Sequence, residues 1–323
     1  MGKEESARDA PKNAIAASEE STLHSTGSAN SISGAFKRLL DNPSGLFSIS
    51  YLVFITVACV VGPELFELYG VDYTTGHLNQ QYQPPGWPHI FGTDLHGRDV
   101  LLRILYGGRV SLSVGFVATF VSLVIGVTWG LIAGYTGGYL DTFMMRIVDA
   151  LYALPFLFLV ILLMSLVDLK TLETFEIMIL LFVALGAVQW LTMSRIVRGE
   201  VISLKEQAFV QGGRALGATN TTIVLRYLLP NILAPVLVYA SLTLPQIVLQ
   251  EAFLSFLGLG IQPPYPSWGS MMESGASALN PIQSRWWLIL FPSLFLAGTL
   301  LSLNLLGDNL RDILDPHEST RTT

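Results

Sequence analysis

The chain has 323 residues, of which 51% are hydrophobic and 13% charged, and its formal net charge is −6. Soluble domains carry about 25% charged residues, so this density argues against a soluble enzyme, and the acidic balance leaves a nucleic-acid partner no basic footprint. The single cysteine, Cys59, excludes an intramolecular disulfide framework and any cysteine-based metal cluster.

In chain order, residues 1–36 are rich in Ser, Ala, Glu and Asn and poor in large apolar residues. They predict a disordered cytoplasmic tail. Beyond them, the distance between successive charges is a ruler for membrane spans, because a crossing helix needs about 20 mostly apolar residues. Charge-free stretches lie between Asp41 and Glu64, Arg109 and Asp141, Asp149 and Asp168, Glu176 and Arg195, Arg226 and Glu251, and Arg285 and Asp308. Six transmembrane helices are expected, at about 45–65, 110–135, 150–168, 177–195, 229–251 and 286–307. A seventh charge-free window, 252–272, holds Pro263, Pro264 and Pro266. Prolines that close together do not sit in one lipid-exposed helix, so the window reads as a re-entrant or external loop.

The resulting division is a first helix with an outer loop (37–108), a transmembrane core (109–316) and a short cytoplasmic tail (317–323). An even number of spans puts both termini on one side. With that side cytoplasmic, thirteen Lys and Arg residues fall inside and five outside, which is the expected bias.

Two spans carry further signals. Gly126, Gly130 and Gly134 are four apart and share one helix face, so a second backbone can approach closely there. The fifth span carries Asn231, Gln246 and Gln250 and ends at Glu251. Polar groups in lipid must find a partner or line a cavity, which makes these four candidate pathway-lining residues.

Local signs of catalysis are missing. The sequence has no G-x-x-x-x-G-K-[ST] loop to cradle phosphates and no G-x-G-x-x-G after a strand. Its five histidines show no metal-ligand spacing. The chain reads as a non-catalytic membrane subunit with no metal or cofactor of its own, and with membrane lipid as its surroundings.

The cytoplasmic stretch from Arg195 to Arg226 is the sharpest feature. Residues 200–216 are helix formers with periodic apolar positions, and Gly217 sits where helices end in a left-handed residue. Thr219 or Asn220 can cap the next helix, which runs to Pro230. A two-helix hook of this regularity is built to dock something.

Its spacing resembles the E-A-A-x-x-x-G-x9-I-x-L-P loop of permeases from binding-protein-dependent ABC importers. Gly217 takes the glycine position and Leu229-Pro230 closes the pattern. Gln211, Gly212 and Gly213 replace E-A-A, Arg214 follows them, and Tyr227 replaces the isoleucine. FGTDLHGRDVLLRILYGGRVSL (91–112), GYLDTFMMRIVDALYALP (138–155), LSFLGLGIQPPYPSWG (254–269) and LLGDNLRDILDP (305–316) are similar to the dipeptide, oligopeptide and nickel class. The chain is most like the second of the two paired permeases in that class.

The resemblance implies an all-α integral membrane protein with the type I ABC importer permease fold, in the inner membrane of a bacterium. It implies a paralogous permease as partner, two ABC ATPase subunits that bind ATP and Mg, and an extracytoplasmic substrate-binding protein. Coupling to the ATPases would run through 205–230. The expected cargo is di- or oligopeptide; the alternatives are nickel or another small solute on the same machinery, or a membrane subunit that transports nothing.

Overall fold

The computed structural model describes residues 39–68, 70, 72–165, 174–280 and 282–314. The tails expected at 1–36 and 317–323 lie outside the described residues, as does 166–173, the end of the expected third span. The described residues are mostly helical, contain no strand, and carry five helices long and apolar enough to cross a membrane, or six if one bent pair is counted as a span.

The first helix, α1 (Pro43–Leu68), begins on a proline, whose missing N–H costs nothing at a helix start. Helix α2 (Val100–Thr136) is capped by Asp99, which accepts from the Leu102 N–H at 3.0 Å. It starts ten residues before the expected 110, with Arg103 and Arg109 inside it. The charges are absorbed rather than expelled. Arg109 donates to the Val60 carbonyl at 2.8 Å and pairs with Glu64 at 3.1 Å, while Arg103 lies 3.5 Å from Asp94. A charge limits the lipid-facing span; it does not end a helix.

The third expected span differs most. Helix α3 (Gly138–Tyr152) and helix α4 (Phe156–Ser165) meet at a bend of 98° across 153–155. Pro155 explains the break, since it has no N–H and its ring clashes with the preceding turn. Helix α5 (Thr174–Lys205) runs ten residues past the expected 195. Arg195 and Arg198 fit within it because each meets an aspartate of α3: Arg195 pairs with Asp149 at 2.8 Å, and Arg198 grips Asp141 through two bonds of 2.5 and 2.7 Å. A two-pronged guanidinium–carboxylate pair fixes geometry as well as charge.

A short helix, α6 (Ala208–Ala215), follows, and then α7 (Leu229–Phe256), α8 (Trp268–Ser277) and α9 (Trp287–Leu314). Helix α7 passes through Glu251 and stops at Phe256, and the three prolines lie in the non-helical stretch before α8. Ser267 and Ser270 cap α8 reciprocally. The Trp268 indole, fully buried, donates to the Ile104 carbonyl at 3.0 Å and locks α8 onto α2.

Helix α2 and helix α5 form the most extensive helix pair. At Gly126 an added Cβ would lie 2.6 Å from the Met193 Cβ, and at Gly130 it would lie 2.6 Å from the Ser194 carbonyl oxygen. At Gly134 it would lie 2.9 Å from the Val201 Cβ. Three absent side chains thus set the distance between two backbones.

Candidate functional site

Two features on the scaffold gather the candidate residues: the hook between α5 and α7 and a polar cleft at the α3–α4 bend. The hook is cut from the sequence more tightly than expected. Residues 200–205 belong to α5, the chain turns at Glu206 and Gln207, and only Ala208–Ala215 form the docking helix α6. Val210 is fully buried and packs with Val197, Val201, Ile223, Leu228 and Ile232, so α6 is seated on the C-terminal end of α5 and the N-terminal end of α7. Gln211 spans the turn by donating to the Lys205 carbonyl at 2.9 Å. Lys205 in turn donates to the carbonyls of Gly134 and Tyr135, at 3.1 and 2.8 Å, and so closes the C-terminal end of α2.

Helix α6 ends in a paired set of backbone bonds. The Ala218 N–H donates to the Gly213 carbonyl at 3.0 Å and the Gly217 N–H to the Arg214 carbonyl at 2.9 Å, with Gly217 at φ +81°. This is the Schellman arrangement, which needs a left-handed residue where Gly217 stands. Thr219 caps the following turn, accepting from the Thr222 N–H at 3.3 Å. The turns 223–228 are wound wider than an α-helix before α7 begins.

The two adjacent glycines of α6 differ in surroundings. Gly212 faces open space, whereas an added Cβ at Gly213 would lie 3.2 Å from the Tyr227 ring. The Arg214 guanidinium lies 5.8 Å from the Tyr135 ring centre. Leu229 is half-buried against the same cluster as Val210, and Pro230 is exposed in the first turn of α7. Leu216 is 89% exposed, Leu225 59% and Phe209 43%, so the hook carries large apolar side chains that this chain leaves uncovered.

The fifth-span residues do not form one group. Asn231 sits beside the hook and donates to the Tyr227 carbonyl at 2.6 Å, about 22 Å along α7 from Gln246. Glu251 differs from the expectation in one respect: it has no exposed surface. Its two carboxylate oxygens accept from Ser111 at 3.0 Å and Ser255 at 2.7 Å, and Ser111 also accepts from the Trp268 N–H at 3.3 Å. Glu251 is a knot joining α2, α7 and the start of α8. A buried carboxyl survives there because hydroxyls replace the water it left.

Gln246 and Gln250 do come together, in a cleft of about 300 Å³ inside the α3–α4 bend. Two residues of α5, Gln189 and Thr192, complete its polar lining, with Tyr152 and Phe156 on the apolar side. Gln189 donates to the Gln250 side-chain oxygen at 2.8 Å. Sequence reading missed Gln189 because a single glutamine in an otherwise apolar span carries no periodic signal; only the crossing of α5 and α7 pairs it with Gln250.

Comparison with known proteins places these features. The family model described as binding-protein-dependent transport system inner membrane component matches residues 126–319. The oligopeptide transport system permease OppC of Haemophilus influenzae is 41% identical, over 88% of each chain. The dipeptide transport system permease DppC of Bacillus subtilis is 42% identical, over 87% of this chain and 84% of its own. The OppC of Escherichia coli K12 is 41% identical, over 88% of this chain and 90% of its own. Among solved structures, a chain of the inward-facing MetNI methionine ABC transporter shares the fold with a TM-score of 0.52 at 21% identity, covering 65% of this chain and 96% of that one. With its apolar spans and its hook, this chain belongs to the inner membrane component family of binding-protein-dependent transport systems.

Proposed function

We propose that the chain forms half of the translocation pathway for ATP-driven uptake of di- or oligopeptides across the inner membrane of a bacterium, with both termini cytoplasmic. The observation that carries the substrate class is the identity of about 41% with relatives named as oligopeptide and dipeptide permeases, over nearly nine-tenths of each chain. The partners are a paralogous permease, two ATPase subunits that hold ATP and Mg, and an extracytoplasmic binding protein. The chain itself carries no catalytic group for hydrolysis. Its part is to move when the ATPases move. The segment that receives this motion is the hook: Gln211, Gly212, Gly213 and Arg214 on α6, the Gly217 corner, and Leu229-Pro230 where α7 begins. Support comes from its exposed Leu216, Phe209 and Leu225 beside a rigid seat on α5 and α7.

The test is uptake of labelled trialanine by proteoliposomes carrying this permease with its paired permease, ATPases and binding protein. ATP-dependent accumulation supports the proposal. Nickel uptake without peptide uptake, or accumulation independent of ATP, overturns it.

A further inference from the structure

The polar cleft contains more hydrogen-bonding capacity than the chain itself uses. Beyond the single bond from Gln189 to Gln250, the Gln250 amide nitrogen, the Gln189 side-chain oxygen, the Gln246 amide and the Thr192 hydroxyl bond to nothing among the described residues. These groups lie deep in the span. Gln189 and Gln246 are each sixteen residues from a cytoplasmic landmark, Lys205 on α5 and Pro230 on α7, which is about 24 Å along either helix. Free amides at that depth do not face lipid, where each lacks a partner. The site is also concave, and its lining carries no charge.

We infer that this cleft is a peptide main-chain subsite: Gln189, Thr192, Gln246 and Gln250 hydrogen-bond the backbone N–H and C=O groups of a passing peptide and ignore its side chains. The inference rests on the peptide reading above. The chemistry is complementary in kind. A side-chain amide holds N–H donors and a C=O acceptor on one planar group, and a peptide unit offers one of each, so each glutamine meets either half of a peptide unit. Neutral lining suits a cargo whose side-chain charge varies, because a fixed charge here would favour one sign and trap or exclude the other. A volume of about 300 Å³ holds a short peptide segment and exceeds any one side chain. Tyr152 and Phe156 give the cleft an apolar wall from the two helices of the bend, so its shape is tied to the angle at Ala153–Pro155. Contact with the paired permease is the rival occupant. A packed helix would need a flat or ridged apolar surface, and this one is hollow and lined by amides and a hydroxyl.

The experiment uses the whole importer in proteoliposomes at saturating binding protein, and compares trialanine with its backbone N-methylated analogue. The binding protein is identical in all samples, so its own preference cancels when a variant's ratio of the two uptake rates is compared with the wild-type ratio. For wild type the ratio favours trialanine. Gln189→Leu with Gln250→Leu should bring the ratio down by about threefold to tenfold, as expected for one or two lost hydrogen bonds, with ATPase recovery unchanged. Gln246→Met serves as the second variant, because its amide makes no bond within the chain; it should lower the ratio in the same direction. An unchanged ratio in an assembled Gln246→Met importer overturns the inference, and so does failure of that single variant to hold the paired permease, which would make the cleft a subunit contact. Absence of any peptide uptake by wild type is a separate result: it removes the peptide reading itself.

Discussion

The Tyr227 ring occupies the space that a side chain at residue 213 would need, with its Cζ 3.2 Å from where a Gly213 Cβ would stand. Both residues are places where the hook departs from the E-A-A-x-x-x-G-x9-I-x-L-P pattern. The departures meet in space. A residue without a side chain on α6 is matched by a larger one on the turn that follows, and the seat of α6 stays filled.

That relationship is testable as a cycle. Gly213→Ala alone must shift the Tyr227 ring by a few tenths of an ångström and should stabilise the hook less than Gly212→Ala does, and Tyr227→Ile alone should leave a gap beneath Gly213. The double variant should recover much of the loss, with a coupling of about 0.5–3 kcal/mol, as for residues in contact. Melting of the purified complex measures it, and additive losses would show that the two departures are independent. Gly212→Ala is the control: it faces open space and should add up to about 1 kcal/mol from helix propensity.

Gly217 isolates backbone conformation from packing. Its φ is +81° and an added Cβ meets no atom within 4 Å, so any cost of substitution is conformational. Gly217→Val should cost roughly 1–2 kcal/mol and tilt α6, leaving the permease in the membrane while weakening ATPase recovery or uptake. Gly217→Asn should be milder. Wild-type uptake and ATPase co-purification in the valine variant would remove the corner from coupling.

The α2–α5 crossing has a sharper steric limit. Gly130→Leu places carbon against the Ser194 carbonyl and Val197, where the neighbouring atom is backbone and does not yield. The expected loss is about 1–3 kcal/mol from overpacking, seen as a lower yield of folded complex than Leu131→Val gives. Equal yields of the two variants would contradict a tight crossing.

Glu251 separates acceptor from charge. Glu251→Gln keeps an acceptor for one of the Ser111 and Ser255 hydroxyls and offers an N–H to the other, and should be tolerated, whereas Glu251→Leu strands both and should cost about 1–3 kcal/mol. Uptake should follow stability in both variants, since the residue is fully buried and holds α2, α7 and α8 together. A Gln variant as stable as wild type but inactive would return Glu251 to the pathway.

Much of this molecule was decided locally, and so was legible in the chain. Apolar runs between charges marked the five long apolar helices, though not the bend that breaks the third expected span, because lipid penalises each charge whatever the fold around it. The glycine spacing marked one face of α2, because a four-residue repeat returns to the same side of any helix. Gly217 and Thr219 announced the corner of the hook by backbone preference alone. What the tertiary structure decided was where polar groups found partners. Arg103, Arg109, Arg195 and Arg198 extend helices beyond the charge-free windows because Asp94, Glu64, Asp149 and Asp141 come to meet them across the fold. Glu251 and Gln250 are neighbours in sequence but face different surroundings, one sealed among serines and the other opening on a cleft, because adjacent helix positions are turned by about 100°. Gln189 joins the site only through the crossing of α5 and α7. Helix formation is local, while satisfaction of a buried polar group depends on whichever chain segment packs against it.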